Sequence, residues 1–263
     1  MPDIQINATR IFYQWDGPSR GDVVMLSNSL ASNLGMWVHQ VPALVEAGFR
    51  VLRYDSRGMG ASQVPVGPYT VGMLADDVIA LMDALDVERV HFCGLSKGGM
   101  VGQTLGAQAG DRLSSLALCD TAAYMPAPEV WDERIAAVRA GGMSAVVDGT
   151  VDRWFTPAGQ ARVAKDVADV RKMILDTPVE GFAACCEAIK AMDQRPTLGA
   201  IATPTLVIVG EDDPGTPVAA AELIHRSIAG SELVVIPESA HFCNMEQPQA
   251  FNEALLGFVR RHA

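Results

Sequence analysis

The feature that most constrains this chain is a set of seven short apolar runs, at residues 11–15, 23–26, 49–54, 90–93, 116–119, 206–209 and 233–236. Several are apolar at nearly every position, and strands with that pattern are buried on both faces. Segments of helical periodicity lie between many of them, for example at residues 36–47, 71–85 and 218–229. Strands alternating with helices predict an α/β fold with a mostly parallel central sheet and helices on both faces. An apolar fraction of 49% over 263 residues is ample for one large core.

Residues 122–195 break the alternation. They hold helical patterns at residues 129–140, 143–155, 162–176 and 179–192, with Pro126, Pro128, Pro157 and Pro178 as punctuation, and no good strand run. The expected arrangement is a helical lid over residues 122–195, inserted into a core made of residues 1–121 and 196–263. Open parallel sheets place their sites at the carboxyl ends of the strands, so such a lid would cover the site.

Charge and cysteine content narrow the function classes. Twenty basic against 31 acidic residues leave a formal net charge of −11, which argues against nucleic acid as a partner because phosphate binding needs a basic face. The five cysteines are irregularly spaced, and this fits neither a disulfide framework nor a CxxC metal site. Met1-Pro2-Asp3-Ile4-Gln5 lacks the basic start and apolar stretch of an export signal. No apolar run approaches the roughly 18 residues of a membrane span. A cytoplasmic protein that makes no membrane contact is expected.

The chemistry centres on Gly94-Leu95-Ser96-Lys97-Gly98, which follows an apolar run and opens a helical pattern. A strand, a tight turn with serine at its apex, and a helix together form a nucleophile elbow, in which glycines permit the sharp turn and the hydroxyl stands above the sheet. A serine hydroxyl needs a base, and the base needs an acid to orient it. Both are expected later in the chain, in the order serine, acid, histidine. Glu211-Asp212-Asp213 follows the run at 206–209, and His241 follows the run at 233–236, so both stand at the same sheet edge as Ser96. Asp213 is the expected acid, because it lies far enough past its strand to turn back towards His241, and Asp212 is the alternative. His39, His91, His225 and His262 fall on helix, strand or terminal positions and are expected to pack or face solvent. An acyl-transfer oxyanion needs preorganised N–H donors. The backbone of Lys97, at the start of a helix, is one candidate and that of Leu30, just past the run at 23–26, is the other.

These residues carry a resemblance to the α/β-hydrolase superfamily and, within it, to the 3-oxoadipate enol-lactonases. The particular segments are Leu26-Ser27-Asn28-Ser29-Leu30 with Met36-Trp37, Arg53-Tyr54-Asp55-Ser56-Arg57-Gly58, and Pro128-Glu129-Val130-Trp131. Arg153-Trp154-Phe155-Thr156, Cys186-Glu187-Ala188-Ile189 and Asn244-Met245-Glu246 extend it through the suspected lid to nearly full length. The resemblance implies an α/β-hydrolase fold that opens β-ketoadipate enol-lactone to 3-oxoadipate in aromatic catabolism, without cofactor or metal. Lys97 stands where members often have methionine, and Met59 where they often have histidine. An anionic lactone needs a local cation, since the protein's average field repels it. Lys97 and Arg134 are the expected cations, with Trp131, three residues before Arg134, as an apolar wall.

Overall fold

The computed structural model describes residues 2–263. Its strands are β1 (Asp3–Ile6), β2 (Thr9–Asp16), β3 (Val23–Ser27), β4 (Arg50–Tyr54), β5 (Val90–Leu95), β6 (Leu113–Cys119), β7 (Thr205–Gly210) and β8 (Glu232–Ile236). They form one sheet in the order β1-β2-β4-β3-β5-β6-β7-β8. The pairs from β4–β3 through to β7–β8 are parallel, while β1–β2 and β2–β4 are antiparallel. This is the mostly parallel sheet that the alternating runs predict, in the α/β-hydrolase arrangement that the resemblance implies.

Around the sheet lie the helices α1 (Gln40–Glu46), α2 (Val71–Ala84), α3 (Lys97–Gln108), α9 (Val218–Ser227), α10 (Cys243–Glu246) and α11 (Pro248–Arg260). Between β6 and β7 the chain forms only helices and turns: α4 (Pro128–Gly141), α5 (Val147–Trp154), α6 (Pro157–Arg162), α7 (Ala164–Leu175) and α8 (Val179–Ala191). Every residue of β5 and β7 is buried, so the central sheet is covered on both faces, as their unbroken apolar sequences require. The edge strand β8 instead leaves Glu232 and Val235 exposed.

Three elements lie outside the sequence reading. β1 is only four residues long with two of them exposed, α10 is a single turn, and α11 begins at Pro248 with its buried side chains on one stripe. Proline and local turns also divide long helical patterns. The pattern at 162–176 is preceded by a separate α6 beginning at Pro157, and 143–155 splits into a single turn (Met143–Ala145) and α5. An isolated antiparallel bridge between Tyr124 and Asp193 ties the two chain passes at the base of the helical insertion. Beside it, the Gln194 N–H donates to the Ala123 carbonyl at 2.7 Å. Among the described residues no helix is long and apolar enough to cross a membrane.

Candidate active site

Ser96 joins β5 to α3 with φ +56° and ψ −113°, a backbone conformation that costs an L-residue roughly 1–3 kcal/mol. Neighbouring strands hold it there: its N–H donates to the Cys119 carbonyl at 2.8 Å, and its own carbonyl accepts from Thr121 Oγ1 at 2.8 Å. The strain sits on the serine itself, because neither flanking glycine has a positive φ. Gly94 and Gly98 are needed for closeness. A Cβ on Gly94 would stand 2.2 Å from the Gly98 carbonyl oxygen, and one on Gly98 would stand 2.2 Å from the Ser27 carbonyl oxygen.

The loops after β7 and β8 bring Asp213 to His241. Asp213 Oδ2 accepts from His241 Nδ1 at 2.7 Å and from Thr216 Oγ1 at 2.6 Å. Its Oδ1 accepts the Gly215 and Thr216 N–H groups at 2.8 and 3.0 Å. Burial would raise this carboxyl's pKa, but the His241 charge and these donors outweigh it and hold the pKa below the usual 3.8. An ionised carboxylate only accepts, so His241 carries its proton on Nδ1 and leaves Nε2 free to accept one. Burial lowers the His241 pKa, but the charge and hydrogen bond of Asp213 more than reverse this, and the net shift is upward. Asp212 is exposed and takes no part in this network.

Ser96 and His241 line one cavity of about 520 Å³, roofed by the helical insertion. Leu30 also lines it, in a loop pinned by Asn28, whose side chain donates to the Tyr54 carbonyl at 2.8 Å and accepts from Trp37 Nε1 at 2.9 Å. The Lys97 N–H stands in the first turn of α3, where no helical carbonyl is available to it. Both N–H groups therefore belong to segments bordering Ser96. Trp131 and Arg134 line the cavity from α4, with the guanidinium 4.7 Å from the indole centroid.

Three comparisons bear on this geometry. A family model described as the alpha/beta hydrolase fold matches residues 22–248. The chain belongs to the α/β-hydrolase fold family. It is 38% identical to 3-oxoadipate enol-lactonase 2 of Acinetobacter baylyi over 259 residues, which is 98% of this chain and 94% of that one. It superposes on the enol-lactonase structure from Burkholderia xenovorans with a TM-score of 0.96 and 41% identity, covering 98% of this chain and 100% of the other. A malate-bound thermophilic esterase from Thermogutta terrifontis gives a TM-score of 0.91 at 31% identity, with 97% and 94% covered.

Within this hydrolase one expected side chain lies elsewhere. The Lys97 ammonium does not reach the cavity: it is buried (1% exposed) and donates to Ser56 Oγ. Burial lowers its pKa, opposed by the neighbouring Cys185 and Asp55. The start of α3 directs this side chain at the loop after β4, so only its backbone remains near Ser96. Two further groups escape the sequence reading. Asp120, immediately past β6, is fully buried, accepts the Gly210 N–H at 2.8 Å and contacts the Cys243 thiol at 2.8 Å. Burial and the Asp213 charge push it up to about 8, against the opposing pull of His241, Cys243 and Gly210, so at neutral pH it is mostly uncharged. Its place at the same strand edge was the available signal. Arg153, at the end of α5, also lines the cavity, and it stands next to Trp154, whose ring stacks on Phe242 at 4.1 Å. Among the described residues no group of three or more His, Cys, Asp or Glu side chains is placed to hold a metal ion.

Proposed function

We propose that the protein is a serine hydrolase that opens β-ketoadipate enol-lactone, a small anionic lactone, to 3-oxoadipate. The observation that carries this reading is one cavity holding a serine at a strained elbow, an Asp213-backed histidine and a guanidinium with no carboxylate partner among the described residues. The enol-lactonase relatives support the choice of substrate within the fold, which by itself hosts many acyl substrates.

Ser96 Oγ attacks the ring carbonyl while His241 Nε2 accepts its proton, and Asp213 stabilises the resulting imidazolium. Negative charge develops on the former carbonyl oxygen. The Leu30 and Lys97 N–H groups are its proposed donors, and the positive end of α3 adds to their effect. The ring C–O bond then breaks. The departing oxygen is an enolate, a better leaving group than an alkoxide, so it demands less protonation by His241. Water, deprotonated by His241, attacks the acyl-serine and releases a carboxylate, while the enol becomes a ketone. Arg134 and Trp131 hold the substrate's own carboxylate and ring, the cation offsetting the repulsion of a protein with net charge −11.

The test compares kcat/KM for the anionic enol-lactone and for a neutral aryl ester. Arg134→Met is expected to lower the value for the lactone by about tenfold or more, equal to roughly 1.4 kcal/mol, with a much smaller change for the ester. Equal losses on both substrates, or a wild-type preference for the neutral ester, would refute the anionic-lactone reading.

A further inference from the structure

A second guanidinium in the cavity is left unexplained by a substrate with one carboxylate. Arg153 is half-buried there, and its one side-chain hydrogen bond is to Thr150 Oγ1 at 3.2 Å, on its own helix. Neither it nor Arg134 is paired with a carboxylate among the described residues, whereas most other cations of the insertion are: Arg139 with Glu180, Lys165 with Asp169, Arg171 with Asp148, Lys172 with Asp176, Lys190 with Asp132 and Glu187, and Arg195 with Asp193. Burial, and then the Arg134 charge, lower the Arg153 pKa against the weaker opposing pull of the exposed Asp152 beside it, so the two guanidiniums that line this cavity repel each other. Arg153 adjoins Trp154, whose ring centroid lies 6.1 Å from that of His241 in the same cavity, and this places it towards the reacting end, while Arg134 lies over Trp131 on α4. Two unpaired like charges beside one apolar cavity are unfavourable unless anionic groups occupy it.

Lactone opening supplies the second anion. Water adds hydroxyl to the acyl carbon and a proton to the departing enol, and the new carboxylic acid then loses its proton. A monoanion thereby becomes a dianion, and the extra charge appears where Ser96 and His241 act. We infer that Arg153 receives the carboxylate which the reaction creates, so that Arg134 and Arg153 together hold a linear dicarboxylate at its two ends. The inference rests on the hydrolytic reading above and extends it to the product. The released dicarboxylate is then held more tightly than a monoanion of equal length, and the protein is subject to inhibition by its own product class.

The experiment uses a neutral aryl ester as reporter, with adipate, its monomethyl ester and hexanoate as inhibitors of equal chain length. In the wild-type protein adipate is expected to compete with the ester about tenfold or more better than either monoanion, the range of one charge-assisted hydrogen-bonded contact. Arg153→Met should abolish that advantage and leave hexanoate inhibition within about threefold, whereas Arg134→Met should weaken all three. Calorimetric titration of adipate into Ser96→Ala and Ser96→Ala/Arg153→Met repeats the comparison without turnover. Should Arg153→Met fail to fold, Arg153→Gln, neutral but able to bond Thr150, gives the same readout. Adipate no better than hexanoate in the wild type, or an advantage that survives loss of Arg153, overturns the inference. Brisk lactone turnover with no dicarboxylate preference would sink this inference alone. Poor lactone turnover with the preference intact would count against the lactone substrate and leave the two-point cradle standing.

Discussion

Replacing Asp213 by asparagine isolates what the carboxylate does, because the shape is kept and only the charge and half of the accepting capacity are lost. Each oxygen of Asp213 accepts two hydrogen bonds: Oδ1 from the Gly215 and Thr216 N–H groups, and Oδ2 from Thr216 Oγ1 and His241 Nδ1. The amide can keep its oxygen on only one side. Facing its NH₂ towards Oδ1's partners would set donors against two backbone N–H groups that cannot turn away. Facing it towards Oδ2's partners is cheaper, since the Thr216 hydroxyl can rotate and His241 can move its proton to Nε2. That relief would disable His241 as the proposed base, because Nε2 then carries a hydrogen and points it into the cavity. The cost to folding is accordingly modest, about 1–3 kcal/mol for one lost charged interaction. The cost to turnover is roughly 10⁴, as in a serine protease whose orienting acid is amidated, equal to about 5 kcal/mol of barrier. Steady-state kcat for an aryl ester, measured with thermal unfolding of the same preparation, separates the two. Asp212→Asn is the control, and its exposed position predicts activity within about threefold of wild type. Asp213→Asn with more than a tenth of wild-type turnover, or Asp212→Asn falling as far, would refute this reasoning.

Two further outcomes follow from the same geometry. A base whose pKa is raised above 6.5 is lost as pH falls through that raised value, so the acid limb of kcat/KM should lie above pH 6.5. Arg153 lowers that pKa, so Arg153→Met should move the limb to higher pH, and a limb that stays put or moves down would contradict the placement of Arg153 near His241. At the elbow, Gly98→Ala would set a methyl 2.2 Å from the Ser27 carbonyl oxygen and should destabilise by about 1–3 kcal/mol or more in denaturant unfolding. Gly72→Ala, whose methyl meets nothing nearer than Thr70 Oγ1 at 3.8 Å, should be neutral or mildly stabilising. Equal stability of the two variants would show that the close approach of α3 to β3 is not what requires the glycine.

The sequence alone determined the parallel part of the sheet, the elbow, and the gathering of Ser96, an acid at 212 or 213, and His241 along one edge. Those are properties of strand ends: a parallel sheet gathers the residues just past each apolar run on one side, so order along the chain becomes proximity in space. β1 is not legible in the sequence because it is only four residues long, two of them exposed and polar, and carries little apolar signal. Tertiary structure decided everything that depends on which way a side chain leaves its helix and what surrounds it. Lys97 adjoins Ser96 in sequence, yet its ammonium turns to Ser56, while Arg153, 57 residues beyond Ser96, lines the cavity. Asp120 and Asp213 share the same edge, and only the environment tells them apart. Asp213 gathers four donors and stays ionised, whereas Asp120 has one backbone donor and a thiol in full burial and holds its proton at neutral pH. Periodicity reports which residues are apolar, but the rotation of a helix and the charge of a buried group are set by neighbours brought from distant parts of the chain.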